Sequence, residues 1–258
     1  MVGDFPRQTS ALSVAISDRG LTMGAQPFVL DGGNDRLPRA MADELGDPIK
    51  YGVDVSAIAD KGDAVHVKAI EQNTRRTFEA DQVICTFPAK VLHKIQFDPK
   101  LPAEKQKAIK KMPYIDHTLT YLTVDKPYWK DRGVLGIAYT DLHVAQFKDI
   151  PVWKMPPAIL ESYRVGAKAK EAANLPKEQL IERTLKGIDK VHPGIPKYYK
   201  SSYIKSWGTD PYSLGGPSWP APGDVTKYLE PLQQPHGNIR FAGEHTKILR
   251  STMEGVLR

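Results

Sequence analysis

The sequence predicts an α/β (α+β) chain built around mixed sheets. β-rich runs and helical runs interleave along it instead of separating into blocks. The strongest helical pattern, opened by Pro176, lies between two strand-like runs. The last apolar run, Ile239-Arg240-Phe241, empties through the turn Ala242-Gly243 towards a helix start at Ser251-Thr252-Met253-Glu254-Gly255. A chain of 258 residues can bury a sizeable core as one large domain or two small ones.

The elements follow in order. Residues 1–30 show little period. Asp31-Gly32-Gly33-Asn34 is a glycine turn, and Leu37, Ala40, Met41 and Leu45 then fall at helical spacing until Gly46. Ile49–Ile58 and Ala64–Ile70 read as strands joined by a hairpin turn at Lys61-Gly62-Asp63. Thr77–Phe87 reads as two further strand pieces ending at Pro88. Pro102 opens a helix over 102–112. His117–Val124 and Ile159–Val165 read as strands. After Pro176, Leu180, Ile181, Leu185 and Ile188 share one helix face, with a stop at Pro193-Gly194. Tyr199–Trp207 is a strand, and 208–223 is a Pro/Gly/aromatic loop.

Composition excludes several classes. The net charge is +6, with one cluster at Lys105, Lys107, Lys110 and Lys111 that reads as the solvated face of the helix opened by Pro102. No basic patch interleaved with aromatics is present, so no nucleic-acid partner is expected. No apolar run approaches the roughly 20 residues needed to span a membrane, and the first residues lack the basic and apolar regions of a signal peptide. A cytoplasmic, membrane-free protein is the expectation. The single cysteine, Cys85, lies in an apolar run and reads as a buried, inert thiol. The seven histidines show no metal-ligand spacing, so no metal is expected.

A strand emptying onto a helix N-terminus offers free backbone N–H groups to an anion. Here the strand runs into Phe241-Ala242-Gly243-Glu244-His245-Thr246, and Met253-Glu254-Gly255 follows. These strings resemble the C-terminal FAD-binding segment of the flavin-dependent amine oxidases, which include monoamine, polyamine and L-amino-acid oxidases. The likeness runs from about Gly32 to Arg258 and matches the second half of a usual member. Gly32-Gly33 with Arg36-Leu37 resembles the family's glycine turn and helix near the flavin. Gly52–Ile58 resembles the strand whose backbone, at Val55, meets the adenine. Val83–Pro88, Lys126-Pro127-Tyr128-Trp129, Ser206-Trp207 with Asp210-Pro211-Tyr212, and Ser218-Trp219 with Pro222-Gly223 continue the pattern. Alone, Trp207 and Trp219 read as core or rim aromatics and Glu244 as a surface acid; the common order and spacing carry the resemblance.

The resemblance implies a partial FAD-binding segment over 1–88, a substrate-binding domain over 89–205 and a C-terminal FAD-binding segment over 206–258. It places Gly32, Gly33, Arg36, Val55, Trp207, Gly243, Glu244, Thr252 and Met253 at the cofactor, and Pro217, Trp219 and Thr252 at the substrate. It implies oxidation of a primary amine or L-amino acid to an imine, with molecular oxygen reduced to hydrogen peroxide. It singles out no catalytic side chain. Three departures qualify the match. No cysteine stands in Gly215-Gly216-Pro217, so the FAD is expected to be non-covalent. The two aromatic cage positions hold Pro217 and Thr252, and the lysine that bonds flavin N5 through water is replaced near Leu119. Arg36 and Arg164 are the arginine candidates for a substrate carboxylate.

No G-x-G-x-x-G unit is written in the chain. The expectation is therefore weak FAD binding alone and firm binding beside a chain that supplies that unit. An apolar face along the 238–243 strand is expected to be exposed, or buried in a homodimer. Two alternatives stay open: a non-catalytic truncated or split subunit, and another flavoenzyme of the same superfamily.

Overall fold

In a computed structural model of the protein, the structure describes residues 9–15, 30–46, 48–150 and 157–247. They form two compact units. One holds 30–34, 115–150 and 157–210; the other holds 9–15, 35–46, 48–114 and 211–247.

In the second of these, helix α1 (Arg36–Leu45) ends at Gly46, which takes a positive φ. Strands β1 (Val53–Asp60), β2 (Val65–Glu71) and β3 (Thr74–Ala80) form a meander, closed at Gly62 by a bond from the Lys61 N–H to the Ala64 carbonyl. Short strand β4 (Val83–Cys85) leads to helix α2 (Ala89–Leu92), strand β5 (Gln96–Asp98) and helix α3 (Ala103–Lys111). β5 pairs parallel to β1, giving a mixed sheet ordered β3-β2-β1-β5.

The other unit is a five-stranded antiparallel sheet. It contains β6 (His117–Val124), β7 (Ala138–Tyr139), β8 (Gln146–Ile150) and β9 (Ala158–Val165). Helices α4 (Gly166–Ala173), α5 (Lys177–Val191) and α6 (Ile195–Tyr198) precede β10 (Tyr199–Ser206). The sheet order is β10-β6-β9-β8-β7. Alternation along β6 puts Leu122 and Val124 into a core with Phe147, Leu160 and Ile188. Tyr128 stacks on Tyr198 at 4.7 Å and donates its hydroxyl to the His192 carbonyl at 2.9 Å.

The chain then completes the first-described unit with helix α7 (Asp224–Gln233) and strand β11 (Ile239–Phe241). β11 pairs parallel with β4. Asp60 ties the β1–β2 turn to the approach of β11: its carboxylate accepts from the Asn238 N–H at 2.6 Å and the Gly62 N–H at 2.9 Å. Those backbone donors, the Asn238 N–H first, hold its acidity below the usual carboxylate value.

Two expectations need correction here. The 238–243 strand is not an exposed apolar face: Ile239 is 0% and Phe241 9% exposed, in one core with Tyr228 and Leu232 of α7. Apolar side chains are exposed beside it, at Ile84 of β4, and elsewhere, as at Leu37, Met41 and Leu45 of α1. Nor is Lys105 solvated. It is 2% exposed, its Nζ donates to the Leu232 carbonyl at 2.9 Å, and it stands 3.8 Å from the Phe241 ring centroid. A long side chain at that position finds an acceptor and an aromatic face, which compensate its burial. Burial lowers its pKa to about 8. Among the described residues no helix is long and apolar enough to cross a membrane.

Candidate functional site

β4 and β11 are short apolar runs in register, Ile239 beside Val83 and Phe241 beside Cys85. Their carboxyl ends therefore lie side by side, and the Ala242 N–H donates to the Cys85 carbonyl at 3.0 Å. In open parallel sheets this end of the strands is where ligands bind.

The chain leaves β11 through Gly243, at φ +128°, a conformation that side-chain-bearing residues rarely adopt. A Cβ there would lie 3.1 Å from the His245 ring. A single 3-10 turn, Glu244–Thr246, follows. The Thr246 hydroxyl donates back to the Gly243 carbonyl at 2.8 Å, and Gln233 of α7 donates to the Thr246 carbonyl at 2.7 Å. The Glu244 carboxylate accepts from the Ser218 N–H at 3.0 Å and the Ser218 hydroxyl at 2.8 Å. Ser218 is fully buried.

That contact fastens the 211–223 loop to the turn. The loop is fixed again where the Trp219 N–H donates to the Pro113 carbonyl at 2.8 Å and where Ser218 bridges to Tyr114. Gly215 permits the approach, since a Cβ there would meet the Cβ of Tyr114 at 2.8 Å. The Tyr114 hydroxyl in turn accepts from the Ala89 N–H, at the start of α2, at 2.8 Å. The Trp219 indole donates to the Thr9 hydroxyl at 2.8 Å.

Of the expected residues, Gly243, Glu244, Pro217 and Trp219 come together around this turn and loop. Val55 lies in the same unit, on β1 at a register irregularity between Val55 and Ala57, and packs against the core that contains Phe241. Arg36 is the first residue of α1. Gly32, Gly33 and Trp207 belong to the other unit. There Gly32 and Gly33 take positive φ, and the Gly33 N–H donates to the Leu30 carbonyl at 3.0 Å. The Trp207 N–H donates to the His117 carbonyl, with the Lys205 ammonium 4.5 Å from its ring centroid. Thr252 and Met253 lie outside the described residues.

Leu119 is buried on β6, paired across the sheet with Tyr163 and Lys205. Arg164 is no candidate for a substrate carboxylate. It is fully buried, and its guanidinium donates to the His143 carbonyl, the Thr120 hydroxyl and the Thr184 hydroxyl at 3.0, 3.1 and 2.6 Å. Burial lowers its pKa to about 10. Cys85 is 1% exposed, and burial pushes its thiol up to about 12, so it is not a nucleophile at neutral pH. Among the described residues no group of His, Cys, Asp or Glu could hold a metal ion.

Tyr114 is a site-building residue that the sequence did not single out, and Ser218 and Gly215 were named in motif strings without the roles they take here. Ser218 stands inside a recognised string, but no local pattern reports a partner at Glu244. Lys105 did carry a signal: with Leu101, Ala108, Ile109 and Met112 it follows the i, i+4, i+7 spacing of the buried stripe.

Residues 1–258 match the family model of flavin containing amine oxidoreductases. An L-amino-acid oxidase of Siganus canaliculatus is 26% identical over 100% of this chain and 51% of its own length. A flavin-dependent L-tryptophan oxidase of Lentzea aerocolonigenes is 27% identical over 88% of this chain and 50% of its own length. Among solved structures, a putrescine oxidase variant superposes with a TM-score of 0.80 at 20% identity, covering 88% of this chain and 50% of that one. Cyclohexylamine oxidase from Brevibacterium oxydans gives 0.77 at 18% identity, covering 88% and 50%. The chain spans about half the length of the relatives it matches. With the family model matched from end to end, the chain belongs to the flavin containing amine oxidoreductases.

Proposed function

We propose that this chain is the cofactor- and substrate-facing portion of an FAD-dependent oxidase acting on a primary amine or L-amino acid. The reaction takes the C–N bond to an imine, reduces dioxygen to hydrogen peroxide, and ends with hydrolysis of the imine to a carbonyl compound and ammonia. The observation that carries this reading is the Gly243 turn at the carboxyl ends of two parallel strands, with Glu244 fastened to Ser218. The turn has the place a flavin nucleotide would need, at the carboxyl ends of parallel strands, and Gly243 gives it the positive-φ bend while leaving room for the His245 ring. Bound there, the flavin supplies the acceptor for a hydride equivalent from the carbon next to the nitrogen.

The chain's own residues position and enclose. Gly32, Gly33, Arg36, Val55, Trp207, Gly243, Glu244, Thr252 and Met253 are the proposed cofactor residues. Pro217, Trp219 and Thr252 are the proposed substrate residues, with Trp219 held in orientation by Thr9. The FAD is non-covalent in this reading, because the only cysteine is buried in β4 with a raised pKa. Segments 1–88, 89–205 and 206–258 keep their proposed roles of partial FAD-binding segment, substrate-binding domain and C-terminal FAD-binding segment.

A partner chain, or a longer form of this one, is proposed to supply the G-x-G-x-x-G unit. Among the described residues the parallel sheet has two strands, whereas parallel sheets are stable when flanked and covered. The same observation favours a second reading, a non-catalytic subunit. Peroxide release after reconstitution with that unit, against a panel of amines and L-amino acids, separates the two. Turnover of any of them supports the oxidase; flavin bound without turnover of any supports the subunit.

A further inference from the structure

The cavity beside α3 shares Leu214 with the 211–223 loop, but none of the residues proposed to touch cofactor or substrate lines it. Its volume is about 1000 Å³, at the upper end of the range for small-molecule sites. Its floor is apolar, built by Leu92, Ile95, Phe97, Leu101, Ile109 and Met112. Five lysines, Lys90, Lys100, Lys107, Lys110 and Lys111, line it as well, beside His93, Gln96, Gln106 and Leu214, and no carboxylate does. Helical spacing puts Lys107, Lys110 and Lys111 on one face of α3. Among the described residues none of the five makes an ion pair; Lys90 donates to the Leu214 carbonyl at 3.0 Å.

A solvated lysine face ordinarily needs no hollow beneath it and is interleaved with acids. Here five lysines and no acid line one hollow with apolar walls. Such a site rewards a ligand that neutralises the lysines and covers the floor at once. We propose that this cavity binds a single-chain amphipathic anion of the fatty-acid type. The carboxylate sits among Lys107, Lys110 and Lys111, and the hydrocarbon chain lies along Leu92, Phe97 and Leu101. The proposal is independent of the oxidase reading and is measured without flavin.

The test is calorimetric titration of the 258-residue chain with octanoate, decanoate and dodecanoate below their micelle concentrations. Dodecyltrimethylammonium is the charge-reversed control, and vesicles of anionic phospholipid form a separate arm. The expected result is one site per chain, tightening about fourfold per methylene. The cationic chain should bind at least about tenfold more weakly than dodecanoate. A Lys107→Met/Lys110→Met/Lys111→Met variant, checked for native circular dichroism, should lose about tenfold for dodecanoate and keep the chain-length trend. Should that triple variant misfold, the single Lys107→Met and Lys110→Met variants should each show part of the same loss. Equal affinity for anion and cation, or no dependence on chain length, would overturn the proposal. So would vesicle binding with none to the monomeric acids, which would mark a lipid-surface patch instead.

Discussion

Replacing Glu244 by alanine tests the fastening on which the candidate site depends. The side chain gives both carboxylate oxygens to Ser218, one to its N–H at 3.0 Å and one to its hydroxyl at 2.8 Å. Hydrogen bonds to a charged partner contribute about 1.5–3 kcal/mol each, and Ser218 is at 0% exposure, where its donors have no recourse to bulk water. Glu244 itself is half-buried, which trims the sum. Glu244→Ala should therefore destabilise its unit by about 2–4 kcal/mol, and Glu244→Gln, which keeps one acceptor, by about half as much. Because the chain has two compact units, one global unfolding curve would blur the effect. Hydrogen exchange read on the 211–223 loop isolates it, since loss of the anchor opens that segment first. Protection across the loop should fall by about thirtyfold or more at that energy cost. Unchanged protection in Glu244→Ala would show that the carboxylate does not fasten the loop and would refute this reading of the turn.

Gly243→Ala forces a β-carbon into a positive-φ turn 3.1 Å from the His245 ring and should cost about 1–3 kcal/mol, read as a lower urea midpoint. Lys105 gives a pH signature. Its folded pKa of about 8 lies below the ordinary 10.5, so between those values the unfolded chain binds more protons and stability rises with pH. The rise should be at most about 3 kcal/mol and should vanish in Lys105→Met; a wild-type chain whose stability is flat across that window would contradict the burial of the ammonium. Arg164→Ala should cost about 3–5 kcal/mol through lost packing and hydrogen bonds. A variant of native stability that only raised KM for amino acids would instead return Arg164 to the substrate site.

Much of this fold was legible because its elements announce themselves locally. Pro102 and Pro176 open α3 and α5, and the alternation from His117 to Val124 gives β6 to the residue. The hairpin at Lys61-Gly62-Asp63 needed only its glycine and the flanking β-branched runs. What stayed hidden was what distant residues do to one another. Nothing near Val83 says that its parallel neighbour is Ile239, and nothing near Ser218 says that Glu244 will seat on it. Lys105 misled because charge outweighed position: its place on the buried stripe was visible, while the Leu232 carbonyl and Phe241 ring that make burial tolerable come from the far end of the chain. The same blindness applied to Arg164, whose hydroxyl and carbonyl acceptors are spread over β6, α5 and the turn before β8. Around the Gly243 turn, the string that suggested a cofactor was readable, but the loop that closes on it was not.

The visible absorbance of the purified chain reports whether a separate glycine-rich unit is needed to hold FAD. The spectrum is taken after gel filtration with added FAD, first for the 258-residue chain alone and then for the same chain with a polypeptide carrying the G-x-G-x-x-G unit. Flavin should be absent or substoichiometric in the first sample, stoichiometric in the second, and wholly released by acid denaturation, as non-covalent binding requires. A full complement of flavin on the chain alone, or none in either sample, would contradict the account.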